Sequence, residues 1–279
     1  MLRRKVRPAE ELRDIFESDR GIDLARAAAA LAKLEYPDLD FTPYVAEIDD
    51  YARAARRRLA DRTKPESAIS AINRVLFEEL GFCGNRSDYY DPRNSFLNDV
   101  IERRTGIPIS LSVLYIEIGR RLNLPIFGVG LPAHFLVKYD DGSRSIFIDP
   151  FHEGRVLNRQ GCRDLLRTLH GRPVELTDLH FAAVDERHIL LRMCTNLRRI
   201  YFASREYRKA LAVIDAMLEL APESLEELKQ RAWLQHELGK RAEALRDFEL
   251  YAALNPDAAD AGEVDQWISN IRRTLARLN

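Results

Sequence analysis

Residues 105–150 read TGIPISLSVLYIEIGRRLNLPIFGVGLPAHFLVKYDDGSRSIFIDP, and a change of period inside this stretch decides the fold. Leu111, Leu114, Tyr115, Ile118 and Leu122 recur at three- and four-residue spacing, which predicts a helix with one buried face. Beyond Pro125 the apolar residues recur about every second position, so 126–132, 134–139 and 145–149 are expected as strands. Asp140-Asp141-Gly142-Ser143 separates the last two, and Asp-Gly favours a two-residue hairpin because both residues tolerate positive φ. With Asp141 and Gly142 as the loop, Asp140 pairs with Ser143, Val137 with Ile146, and His134 with Asp149. Directly opposed residues hold their Cβ atoms roughly 4.5–5.5 Å apart. An imidazole–carboxylate hydrogen bond is therefore expected at the far end of the hairpin, on the face away from Val137 and Ile146.

Upstream, residues 8–90 read as helices. Asp23 is placed to cap LARAAAALAKLEY, which Pro37 ends. Thr42-Pro43 opens a second helix and Lys64-Pro65 a third, since Pro at the first helical position forfeits only an N–H that has no helical partner. Gly81 ends the third. The run Arg56-Arg57-Arg58 is read as a solvated face, with Asp49, Asp50 and Asp61 about one turn away as partners. Residues 81–93 form a loop, followed by a helix from about Ser95 to Arg104 that stops at Gly106. Asp88, Asp91 and Arg93 in the loop are expected to form turns and salt bridges that brace the adjacent site. Arg103 and Arg104 are read as favourable charges at a helix C-terminus.

Downstream, Ala210 and Ala244 lie 34 residues apart, as do Pro222 and Pro256. A 34-residue period with small residues at a helix crossing and Pro after the second helix is the tetratricopeptide signature. Two repeats are expected at about 191–224 and 225–258, with a capping helix over 260–279. The expected organisation is a helical region over 1–90, a core over 91–186 and the repeat module over 187–279.

The composition fits a globular chain and removes several function classes. The 279 residues carry 43 Lys+Arg against 44 Asp+Glu, so the basic excess that supplies non-specific nucleic-acid affinity is absent. The three cysteines, Cys83, Cys162 and Cys194, show neither a disulfide framework nor metal-ligand spacing and fit a reducing cytoplasm. The basic N-terminus lacks the apolar segment of a secretory signal, and no run of 18 apolar residues suggests a membrane span.

The stretch from Tyr89 through Leu157, and DPRNSFLNDVIERRTGIPISLS within it above all, resembles the SirB-type proteins, a bacterial family with relatives among eukaryotic F-box proteins. The resemblance implies an α+β, mostly α fold: a helical N-terminal region, a papain/transglutaminase-like core with a small antiparallel sheet, and C-terminal tetratricopeptide repeats. In the wider superfamily a Cys begins the core helix, a His begins a strand, and an Asp-Pro ends the next. His134 and Asp149-Pro150 match the last two, whereas Pro108 to Ser110 hold no Cys at the first.

Two readings are open. In one, Ser110 or a bound water is the nucleophile, His134 the base, Asp149 the orienter and Asn98 an oxyanion donor, giving an amide or ester hydrolase or acyl transferase. In the other, favoured by the missing thiol, the core is non-catalytic and the chain is an interaction or regulatory factor that holds a protein or peptide in its repeats. His152 in DPFHEG could join His134 and Asp149 as a two-His-one-carboxylate metal set, but it is expected to line its loop. No metal or other cofactor is expected. His170, His180 and His188 are read as ordinary loop and helix contacts.

Overall fold

The computed structural model describes residues 8–16 and 22–278. The chain divides into two compact units, residues 20–193, and residues 194–279 with 1–19. The basic stretch 1–7 and the last residue of the expected 260–279 helix lie outside the described residues. Helix α1 (Pro8–Phe16) belongs to the unit with the repeats, a grouping different from the expected 1–90 region.

In the unit of residues 20–193, α2 (Leu24–Ala32) starts where expected, because Asp23 accepts a hydrogen bond from the Arg26 N–H at 3.1 Å. It ends five residues before Pro37. Helix α3 (Thr42–Arg58) carries Pro43 as its second residue, and α4 (Pro65–Asn73) begins at its proline. A π-helical turn, Arg74–Glu79, continues α4 towards Gly81, whose φ of +71° only glycine adopts readily. The Arg56–Arg58 run keeps a largely solvated face, but its expected partners are engaged elsewhere. Asp49 pairs with Arg121 at 2.5 Å, Asp50 with Arg53, and Asp61 with Lys64 at 3.6 Å, while Arg58 reaches Glu79 at 2.5 Å.

Strand β1 (Cys83–Gly84) pairs in parallel with β2 (Thr105–Gly106), and α5 (Leu97–Arg103) lies between them in sequence. Helix α6 (Pro108–Arg121) then packs against α3, β3 (Ile126–Leu131) and β4 (His134–Asp140). Leu111, Leu114, Tyr115, Ile118 and Leu122 are all buried, as their spacing predicted. Strands β5 (Ser145–Asp149) and β6 (Arg155–Leu157) complete an antiparallel sheet in the order β3-β4-β5-β6. Helix α7 (Arg159–His170) packs on one face of this sheet, where Cys162 and Leu166 join Val129, Leu131, Leu136 and Phe147 in one apolar cluster.

The hairpin register differs from the expected one by two residues. Val137 pairs with Ile148, Tyr139 with Ile146 and Asp140 with Ser145, leaving a four-residue loop, 141–144. Its two aspartates widen the turn: Asp141 Oδ1 accepts from the N–H groups of Ser143 and Arg144, both at 2.9 Å, and Asp140 Oδ1 from Gly142 at 3.2 Å. Such side-chain bonds satisfy the loop backbone in place of a two-residue ladder closure. A shift of two preserves the face of every side chain. His134 and Asp149 thus remain on one face, but as diagonal rather than direct neighbours.

Helix α8 (Glu186–Ala203) contributes residues to both units. In the repeat unit, α9 (Tyr207–Leu220), α10 (Leu225–Glu237), α11 (Arg241–Leu254) and α12 (Ala261–Leu278) pack as successive neighbours, and α1 packs on α9. Ala210 and Ala244, the small residues of the period, are fully buried. Phe248, Tyr251, Val264, Ile268 and Ile271 form the core between α11 and α12. Arg231 reaches Asp247 through two bonds of 2.7 and 2.9 Å, a bidentate link from α10 to α11. No described helix is long and apolar enough to cross a membrane.

Candidate functional site

The first residue of β4 and the last of β5 bring His134 and Asp149 together, His134 Nε2 lying 3.0 Å from Asp149 Oδ2. A two-residue turn over Pro132-Ala133 delivers His134, with Ala133 at φ +56°. Immediately after Asp149, a 3-10 turn (Pro150–His152) swings a second imidazole back, and His152 Nδ1 lies 2.7 Å from the same Oδ2. The other carboxylate oxygen accepts the Phe151 N–H at 3.1 Å. One carboxylate is thus held by two rings and one backbone amide. Burial alone would raise its pKa, but the hydrogen bonds and charges of His134 and His152 outweigh burial and bring Asp149 down to about 2.

Aromatic rings wall this cluster. Phe151 stands edge-on to His134 and to His152, and Tyr89 edge-on to Phe151. Tyr89 in turn contacts the exposed Tyr90. Phe151 lies so close to β1 that a Cβ at Gly84 would sit 2.5 Å from its ring. Spacing alone did not reveal Phe151 and Tyr89 as part of the site; the DPFHEG and YYDPRN segments that carry them were its only signal.

At the N-terminus of α6, the Ser110 hydroxyl accepts from the Ile107 N–H at 3.1 Å and donates to the Asn94 carbonyl at 2.6 Å. Ser110 is fully buried, and no hydrogen bond links it to His134. Its one proton is directed at a backbone carbonyl. Asn94 is itself held by Asn85, 3.0 Å from its Oδ1, and donates to the Asp88 carbonyl at 2.7 Å. Asp91 caps this segment through the Arg93 N–H and pairs with Arg93 at 2.8 Å, as expected, and also with Arg103 at 3.2 Å, whereas Asp88 takes part through its backbone, its N–H donating to Asn85 Oδ1 at 2.9 Å. Arg104 instead lies over the rings of Tyr51 and Phe82. Asn98 is buried on α5, and its Oδ1 has no hydrogen-bond partner among the described residues. His180 and His188 bond locally to Thr177 and Asp185.

The profile of the transglutaminase-like superfamily matches residues 42–195, and a tetratricopeptide repeat profile matches 197–268. The chain belongs to the transglutaminase-like superfamily. The UPF0162 protein of Xylella fastidiosa is 37% identical over 242 residues, covering 85% of this chain and 86% of that protein. A UPF0162 protein of Vibrio cholerae is 27% identical over 231 residues, covering 82% and 85%. F-box only protein 21 of Mus musculus is 34% identical over 184 residues, which span 61% of this chain and 28% of that protein. No solved structure matches.

Within this superfamily member, none of the three thiols lies on α6. Burial, with the Asp149 charge adding to it, pushes the Cys162 thiol up to about 11, and burial pushes Cys194 up to about 12. Both are the reverse of an activated nucleophile, which needs a stabilised thiolate. Cys83 is exposed on β1, in register with Thr105 just ahead of α6. Its sulfur lies 3.8 Å from the Thr105 hydroxyl.

Proposed function

We propose that this chain is a protein-interaction or regulatory factor: the tetratricopeptide unit holds a peptide or helix of a partner, and the transglutaminase-like core serves without a nucleophile of its own. Tetratricopeptide repeats generally mediate protein interactions. The observation that carries the reading is a groove in the repeat unit with a volume of about 310 Å³, lined by Phe202, Trp233, Phe248 and Trp267 together with Lys229 and Glu263. Clustered aromatic residues beside polar ones are the composition of protein-recognition surfaces. The commitment of the Ser110 proton to Asn94 supports the second half of the reading.

The test is capture of partners from a cytoplasmic extract with the full chain and with a Gln230→Arg/Glu263→Lys variant that fills and recharges the groove. Specific partners should be lost from the variant while its circular dichroism is unchanged. Recovery of the same partners by both proteins refutes the assignment.

The His134–Asp149 pair at 3.0 Å favours a second reading. In it the core is an amide or ester hydrolase or acyl transferase in which His134 draws a proton from water while Asp149 holds the ring; Ser110 would have to give up its bond to the Asn94 carbonyl to serve as the nucleophile. Fluorophosphonate labelling that disappears in Ser110→Ala, or turnover of an amide or ester panel that disappears in His134→Ala, would establish it. No label and no turnover in the wild type would dismiss it.

A further inference from the structure

One ligand atom each of His134, Asp149 and His152 lies within 4.8 Å of the other two, and among the described residues no other three His, Cys, Asp or Glu donors converge in this way. Two imidazole nitrogens aimed at one carboxylate oxygen, at 3.0 and 2.7 Å, satisfy each other as a hydrogen-bonded cluster. The same atoms also satisfy the demands of a metal ion. Bonds of about 2.0–2.2 Å in tetrahedral or octahedral geometry place neighbouring donors roughly 2.8–3.6 Å apart, so small side-chain rotations convert one arrangement into the other.

We propose that His134, Asp149 and His152 form a binding site for a single divalent first-row transition-metal ion of the zinc class. Two imidazoles and one carboxylate suit such an ion, whereas calcium and magnesium take all-oxygen sites. Three further features of the cluster fit. The Phe151 N–H anchors the free carboxylate oxygen, the outer support that metal-bound carboxylates ordinarily have. The side chains of His134 and Asp149 are 3% and 1% exposed but that of His152 is 27% exposed, so an ion can enter from one side and keep open positions for water or an anionic ligand. The cluster also sets one carboxylate between two imidazoles with no Lys or Arg side chain among them, and a divalent ion adds positive charge beside that carboxylate. This inference is independent of the partner-binding reading, since none of the three residues lies in the repeat unit.

The test uses the full chain stripped with chelator, titrated with Zn²⁺ by calorimetry and with Co²⁺ by visible absorption. One ion per chain should bind, with a Co²⁺ spectrum showing nitrogen ligation, and the affinity should fall at least tenfold in His152→Ala and Asp149→Asn. His152 is partly exposed, so His152→Ala should retain the fold, which circular dichroism checks. His188→Ala, at a separate exposed histidine, should bind as the wild type does. The proposal is overturned by absence of Zn²⁺ binding in the micromolar range or by equal binding to the wild type and His152→Ala. Loss of binding in His188→Ala to the same degree would also overturn it.

Discussion

Replacing Asp149 with Asn removes the one charge that organises the candidate site while keeping its size. In the folded chain the Asp149 carboxyl lies at about 2 against an ordinary 3.8. Each pKa unit corresponds to about 1.4 kcal/mol, so the charged form contributes about 2 to 3 kcal/mol to the fold at neutral pH. A folded-state pKa below the unfolded one means that the unfolded chain binds more protons between about pH 4 and pH 2. The contribution is complete above the unfolded value and is lost as pH falls through this window. Because the chain has two compact units, a single melting curve would mix them. The suitable assay is hydrogen exchange read by mass spectrometry on peptides from β3 to β6, in chelator so that bound metal plays no part. At pH 7 the variant should lose roughly 30- to 150-fold in protection, the equivalent of that free energy. By pH 3, after correction for intrinsic exchange, about half of the gap should close. Equal protection at pH 7, or a gap that does not change with acidification, would refute the view that the two imidazoles hold a buried carboxylate in its charged form.

Gly84→Ala should cost more than about 2 kcal/mol, because its Cβ would stand 2.5 Å from the Phe151 ring and 2.6 Å from the Phe151 carbonyl, and displacing Phe151 pulls on both neighbours, Pro150 and His152. Exchange protection over 145–157 measures the loss, and wild-type protection would count against the wedge. Brief alkylation with iodoacetamide, mapped by mass spectrometry, should modify Cys83 and spare the buried Cys162 and Cys194; faster modification of either buried thiol would contradict their raised pKa values.

The parts of the fold that were legible in the sequence are those set by local chemistry. Asp23, Thr42-Pro43 and Lys64-Pro65 start helices because their caps and prolines act within one turn, and the 34-residue spacing of Ala210 and Ala244 reports a helix crossing that each repeat makes for itself. Elements decided by distant contacts were not legible. The parallel pair of Cys83–Gly84 with Thr105–Gly106 is two residues long and carries no alternation, and Arg155–Leu157 is almost as short. The hairpin register failed on side-chain chemistry: the Asp140 and Asp141 carboxylates bind the loop amides, which a rule built on backbone preference leaves out. At the candidate site, His134 and Asp149 share a face by parity alone, and that survives a slip of two residues. The reach of Ser110 to Asn94, 16 residues upstream, depends on tertiary placement, whereas the return of His152 to Asp149 is a three-residue contact within the 3-10 turn that Asp149 caps and Pro150 opens.

The cap that Ser110 makes at the start of α6 also bears on how this lineage can change. A thiol gained at that position would have to arrive together with a new partner for the Ile107 amide and the Asn94 carbonyl, because sulfur is a poor substitute for a hydroxyl that accepts from one and donates to the other. A Ser110→Cys step therefore destabilises the start of α6, whereas substitutions on the groove of the repeat unit do not disturb this cap. The hydroxyl at residue 110 is thus a fastening of the helix start, and its exchange for a thiol is a question of stability before it is one of reactivity.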